Sequence, residues 1–469
     1  MAFTVPERTP RTLILCFDGT ADSFDDDTTN IVRLFSAFEK ERPDRQLCYY
    51  QPGIGTYLGP TTVWSPTLQQ VAKTLDQALA WYLDTHIMGG YRFLMQHYMK
   101  GDKICMFGFS RGAYTARCLA GMLNKIGLLT PSNEEQIPFA YKRYIDTSNN
   151  SEKNAQMFKD TFSMSVEIAF VGVWDTVASC GLFGRHLPFT ASNEIIRVFR
   201  HALALDERRG KFKPNQWHRK SHSVKGAEND PNAATTVEPP YTDGPQRRET
   251  ANDYIHWAHN GFPKRTKKET VWSDDREAFD LKTEKDKCKV REVWFPGSHA
   301  DVGGGSVGND TPHCLANASL VWMVNQVLHA NVGIIFKRDA SEATIFDSDS
   351  GPLCWLSQLD PEKDAKSEMV DQLHEMKAWW ILEYMPLWQH YQDREGYWHK
   401  GFHFNRGKVR RILDPGALFH SSAKLRRDYL PEDNRGRIRR ILHPRKWFHP
   451  PPYVPGAQVQ DGIIQYVDF

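Results

Sequence analysis

The chain has 469 residues, 40% of them hydrophobic and 25% charged, enough to bury one large decorated core. A net charge of +2 is too near balance to imply a nucleic-acid partner, and a mean hydropathy of −0.56 excludes a bundle of membrane helices. Residues 1–11 have no signal-peptide pattern and no apolar run reaches spanning length, so a soluble, cytoplasmic protein is expected, peripheral to membranes at most.

The first strand is expected at residues 12–17 (TLILCF), followed by a helix whose Ile31, Leu34, Phe35 and Phe38 share one face. A second strand is read at 46–50 (QLCYY). A long helical stretch follows from about 68 to 99, with a break expected at Gly89-Gly90. The third strand, 103–107 (KICMF), leads into a helix at 113–126, and the fourth, 166–173 (VEIAFVGV), is a nearly continuous apolar run. Residues from about 213 to 270 are polar, and we read them as an excursion from the sheet with Trp217, Tyr254 and Trp257 as docking points, either a substrate lid or a solvated insertion. The fifth strand is 290–295 (VREVWF), with a helix at 316–327. Strands alternating with helices predict an α/β fold with a mainly parallel central sheet and helices on both faces. Its core is expected over 1–345, with a C-terminal extension, 346–469, packed on it. Within the extension, residues 376–388 are strongly apolar and 400–446 dense in Arg and Lys. They read either as core or as a rim for acyl chains beside a basic surface that contacts an anionic membrane. Eight scattered cysteines without a C-x-x-C pair fit buried free thiols in a reducing compartment.

Four of these strands end at residues with chemical character. The third runs into Gly108-Phe109-Ser110-Arg111-Gly112, a G-x-S-x-G sequence between strand and helix. A turn that sharp needs glycines at Gly108 and Gly112, and it exposes the Ser110 hydroxyl at a helix start, where the Arg111 backbone N–H can donate to an oxyanion. This context predicts an α/β-hydrolase-like fold with Ser110 as nucleophile. A serine hydroxyl needs a base, and the base an orienting acid. Asp175 ends the fourth strand and is the candidate acid, although a turn-capping role is the plain alternative. His299, after the fifth strand and before a glycine run, is the candidate base, with His420 as second choice. Asp301 either supports the His299 loop or replaces Asp175 as the orienting acid.

A second oxyanion donor is expected after the first strand, where Gly19 and Thr20 are candidates and Asp18 holds the loop in shape. Asp-Gly-Thr also occurs in phosphatases that use an aspartate nucleophile, but the required first carboxylate is replaced here by Cys16. Nothing in the pattern calls for a cofactor or metal.

The blocks LILCFDGT (13–20), GDKICMFGFSRGAYTAR (101–117), FVGVWDTVAS (170–179), HALALDERRGKF (201–212) and EVWFPGSHADVGGG (292–305) together resemble the catalytic domain of type VI secretion phospholipase effectors, a family with bacterial and fungal members. The resemblance spans roughly residues 10–330. It implies an α/β-hydrolase fold, a Ser-Asp-His triad on Ser110, Asp175 and His299, and an ester substrate, with glycerophospholipids as the family's characterised class. The competing expectation is a non-catalytic lipid- or partner-binding protein on the same fold.

Overall fold

Six apolar side chains in a row, as in TLILCF, suit a strand covered on both faces, and Thr12–Phe17 (β1) is at most 3% exposed at any residue. The computed structural model describes residues 8–19, 27–53, 68–177, 187, 190, 193–217, 288–337, 359–377, 379–384, 387–392, 398–410, 412, 417–429 and 465–467. All of them belong to the unit formed by Met1–His222 and Cys288–Phe469; a second unit, Ser223–Lys287, lies outside the described residues. So does most of the polar segment, including Tyr254 and Trp257.

The remaining strands of the central sheet are Gln46–Gln51 (β2), Lys103–Phe109 (β3), Ile168–Trp174 (β4), Val198–Ala204 (β5), Lys289–Phe295 (β6), Leu418–His420 (β7) and Gln465–Val467 (β8). They lie in the order β8-β7-β6-β5-β4-β3-β1-β2, and every neighbouring pair is parallel. The five expected strands are all present. β5 was not expected, because Arg200 and His201 interrupt its apolar run, and β7 and β8 are too short to show a pattern. Two of the eight strands come from beyond residue 346.

Parallel neighbours need crossovers, and the helices supply two covering layers. Asn30–Ala37 (α1) starts at Thr29, whose hydroxyl accepts the Val32 N–H. The others before residue 200 are Leu68–His97 (α2), Ser110–Ile126 (α3), Ile137–Ile145 (α4) and Ser151–Phe162 (α5). After β6 come His299–Gly303 (α6), Leu315–Ala330 (α7), Pro361–Lys366 (α8), Gln372–Glu375 (α9), Trp379–Glu383 (α10) and Ser421–Tyr429 (α11). The alternation of side chains along a strand divides the core. Leu13, Leu15 and Phe17 pack with residues of α2 to α5, whereas Ile14 and Cys16 pack with those of α1 and α7.

The break expected at Gly89-Gly90 is absent: α2 runs unbroken through both glycines. Their role is close packing, since a Cβ on Gly90 would lie 2.8 Å from both Leu119 and Phe17, and one on Gly89 would lie 3.1 Å from the Tyr49 hydroxyl. Among the described residues no helix is long and apolar enough to cross a membrane, and Cys16, Cys48, Cys105, Cys118, Cys288 and Cys314 form no disulfide. The Trp217 ring lies tilted against Phe199 at 4.4 Å between ring centres, and the Trp217 backbone N–H donates to Glu292 at 2.9 Å.

Candidate active site

Strand order reverses between β1 and its neighbours β2 and β3, and in open parallel sheets the crevice at such a switch point, outside the carboxyl ends of the strands, takes ligands. Ser110 sits there as the first residue of α3. Its φ of 58° places a non-glycine side chain in the left-handed region, a strained conformation that the flanking packing must enforce. The two glycines make that packing possible. A Cβ on Gly108 would come within 2.6 Å of the Ala113 and Gly112 backbone, and one on Gly112 within 2.3 Å of the Phe17 carbonyl.

Asp175, directly after β4, also has positive φ, at 37°. Its N–H donates to the Ala202 carbonyl at 2.7 Å, and its Oδ1 accepts the Ala204 N–H at 2.9 Å, so β5 fixes both its backbone and its carboxylate. The next residue, Thr176, donates its N–H to His201 Nε2 at 3.0 Å, and His201 Nδ1 meets Glu292 at 2.8 Å. His201 is fully buried, which lowers its basicity and outweighs the contrary pull of Glu292.

His299 opens α6 after Gly297, whose φ of 109° turns the chain away from β6. Asp301 stabilises this turn: its carboxylate accepts the N–H groups of Ser298 at 2.9 Å and Val370 at 3.2 Å. The imidazole lies between the Phe109 and Phe212 rings, 4.7 and 4.8 Å away. Its Nδ1 is 2.5 Å from Asp175 Oδ2 and its Nε2 is 2.7 Å from Ser110 Oγ. An ionised carboxylate can only accept, so Nδ1 carries the proton and Nε2 accepts the serine hydroxyl. Ser110, Asp175 and His299 are thus brought together, with Asp175 rather than Asp301 on the imidazole.

Electrostatics maintains these protonation states. Burial pushes the Asp175 carboxyl up, but Arg410 and His299 overcome it and hold Asp175 well below the usual carboxylate range. Burial pulls His299 below its ordinary value, and Asp175 opposes this without reversing it. Glu207 accepts the His299 N–H at 3.3 Å and pairs with Arg209 at 2.8 Å, which stacks over Phe212 at 3.5 Å. Burial raises the Glu207 carboxyl, but Arg209 more than offsets it, so Glu207 stays anionic.

The other candidates are placed differently. Asp18 accepts from the Gly19 N–H and the Thr29 hydroxyl, both at 2.7 Å, and from the Tyr50 hydroxyl at 2.8 Å. The Gly19 N–H is therefore directed at its neighbour's carboxylate rather than into the site. Thr20 lies outside the described residues. Arg111 occupies the first turn of α3, a helix without a side-chain cap at Phe109. His420 is not with Ser110: it stacks on Phe295 at 4.6 Å and its Nδ1 meets Ser422 Oγ at 2.9 Å. No group of three or more metal-ligating side chains exists among the described residues.

Residues 11–326 match the family described as T6SS, Phospholipase effector Tle1-like, catalytic domain. The chain belongs to this family. Membership supports lipolytic activity in general, and the site lies within the matched span except for Arg410. The Tle1-like chain is 28% identical, over 552 residues, to the Saccharomyces cerevisiae protein described as uncharacterized protein YEL023C, covering 90% of this chain and 80% of the yeast protein. Solved structures that match include an uncharacterized protein from Pseudomonas aeruginosa, at 15% identity and a TM-score of 0.34, covering 71% of this chain and 47% of that one. Another is the Tle1 effector bound to the VgrG spike of the type 6 secretion system, at 18% identity and a TM-score of 0.29, covering 66% and 53%. The chain thus spans about half the length of each of these two solved structures.

Sequence reasoning missed Glu207, Phe212 and Arg410. The first two lie in the block HALALDERRGKF, which carried the resemblance without a role being attached to them. Arg410 is one arginine in a basic stretch, and no local signal distinguishes it.

Proposed function

We propose that the protein is a serine carboxylic ester hydrolase that cleaves acyl esters of glycerophospholipids, an activity of phospholipase A type. The observation that carries this reading is the single imidazole within hydrogen-bond reach of both Ser110 and Asp175, with the serine on a strained strand-to-helix turn. In the first half-reaction Ser110 Oγ attacks the ester carbonyl while His299 Nε2 takes its proton, and the resulting imidazolium is stabilised by Asp175. The Arg111 backbone N–H, at the positive end of α3, receives the developing oxyanion. His299 then protonates the departing alcohol oxygen as the tetrahedral intermediate collapses to an acyl-serine. Water, deprotonated by the same imidazole, releases the fatty acid and restores Ser110.

The choice of lipid rests on the family and on the surface near the site. Phe212, which touches His299, is 5.6 Å from Trp379, and that helix region leaves Met376, Ile381 and Tyr384 more than half exposed. An apolar rim continuous with the aromatic wall of the site suits acyl chains entering from a bilayer. Part of the basic C-terminal stretch is turned inward, since Arg410 and Arg426 are buried on internal partners. Arg406, Lys408 and Lys424 remain at the surface, available to an anionic headgroup layer.

The test is fluorophosphonate labelling of the wild type beside Ser110→Ala, followed by a panel of phospholipid vesicles and short soluble esters. Labelling lost in the variant, with faster turnover of aggregated lipid than of monomeric ester, is the expected result. A folded wild type that neither labels nor turns over any ester would mean a binding protein on a hydrolase fold.

A further inference from the structure

A carboxylate with no exposure to solvent must have its charge and its orientation supplied by neighbours. Asp175 receives the Ala204 N–H on Oδ1 and His299 on Oδ2, and Arg410 spans both oxygens, with Nη1 2.5 Å from Oδ1 and Nη2 2.9 Å from Oδ2. The planar guanidinium matches a carboxylate edge to edge, which fixes the carboxylate plane as well as its position. Arg410 is itself 6% exposed and also donates to the carbonyls of Ala204, at 2.8 Å, and Phe212.

The chain delivers Arg410 through a clamped turn. Arg406 and Gly407 both have positive φ, 55° and 65°. Glu383, buried at the end of α10, accepts the N–H groups of Gly407 at 2.8 Å and Gly210 at 2.6 Å and the Asn405 amide at 2.5 Å, tying the turn to the loop that follows β5. A Cβ on Gly407 would come within 2.9 Å of the Trp380 ring, so the turn lies flat against α10.

We infer that Arg410, from the C-terminal segment outside the family match, is a positioning residue for the hydrolysis: its fork holds the Asp175 carboxylate with Oδ2 facing His299. The inference rests on the proposed triad. Two effects follow from it. The fork keeps the acid aligned through the proton transfers, and its positive charge tempers the attraction between Asp175 and the imidazolium. Among the described residues, the other charged groups acting on His299 include Glu207 and Arg209, already paired with each other.

The experiment uses the full chain with a soluble ester, comparing wild type, Arg410→Ala and Arg410→Lys for kcat, KM and the pH profile. In Arg410→Ala, kcat is expected to fall by about 10- to 100-fold with KM within about twofold, and the acidic limb of kcat/KM to move to higher pH. Guanidinium ion at millimolar concentration is expected to restore part of that kcat and leave the wild type unchanged. Arg410→Lys, which keeps the charge but loses the fork, is expected to lower kcat with the acidic limb unmoved. A folded Arg410→Ala with wild-type kcat and limb overturns the inference, as does a loss that guanidinium does not relieve and that leaves the limb in place. Should Arg410→Ala not fold, wild-type kcat in Arg410→Lys overturns it. Absence of fluorophosphonate labelling in the wild type removes the triad reading and this inference with it, whereas labelling of the wild type with unaltered Arg410 variants removes this inference alone.

Discussion

His299 is poised by opposing influences: burial favours the neutral imidazole, and Asp175 favours the charged one. The net displacement is below the ordinary histidine value of 6.5. A base is competent only when neutral, so a lowered pKa extends activity toward acid. The acidic limb of kcat/KM is therefore expected below pH 6.5, measured with a soluble ester to avoid surface effects; a limb at or above that value would mean that Asp175 outweighs burial. The residues that take part in this balance differ in how far the sequence exposes them. Ser110, Asp175 and His299 each follow a strand, two of them beside glycines, so their positions at the carboxyl edge of the sheet could be read locally. Asp301 stands three positions after Ser298, the spacing of a capping box, so its contact to Ser298 had a local signature; only its second contact, to Val370, lies 69 positions away and leaves no local trace. Arg410 meets Asp175 across 235 positions of chain, and such a pairing leaves no trace in local pattern.

At the scale of elements, strands were legible where both faces are covered, because burial on two sides demands an unbroken apolar run. β5 fails that test at Arg200, which reaches out to Gln326, and at His201, whose polar atoms are met by Glu292 and the Thr176 N–H. Glycines were ambiguous in the same way. The pair in α2 looked like a break because composition cannot distinguish a flexible point from a close helix contact. The contact between α3 and β1 is closer still, and it gives a direct test at Gly112. Replacing it with alanine sets a Cβ against the carbonyls of Phe17 and Asp18, at 2.3 and 2.4 Å, neither of which is a flexible side-chain end. Gly112→Ala is expected to lower stability by about 3 kcal/mol or more and to eliminate Ser110 labelling in whatever fraction folds, read by denaturant unfolding and probe incorporation. Unchanged stability would mean that the elbow can move away from β1.

For the whole molecule, the C-terminal segment is part of the working body. It contributes two strands to the sheet edge and the clamp around Glu383, and it also carries the exposed Met376, Ile381 and Tyr384 around the helix whose Trp379 meets Phe212. If that rim is where a bilayer meets the protein, charge placed there weakens adsorption without touching the chemistry. The double variant Ile381→Glu with Tyr384→Glu is expected to lower turnover of phospholipid vesicles by about tenfold or more, equivalent to about 1.4 kcal/mol of lost adsorption, and to leave a short soluble ester unaffected. Equal losses on both substrates would assign these side chains to the fold instead.

The distance along the chain between Asp175 and its guanidinium partner also orders events during synthesis. A ribosome releases the serine, the acid and the histidine well before residue 410 emerges, and the early strands can pair while the later ones are still unmade. Full hydrolytic competence, on the inference drawn for Arg410, therefore waits for residue 410 to join a chain in which Ser110, Asp175 and His299 are already made.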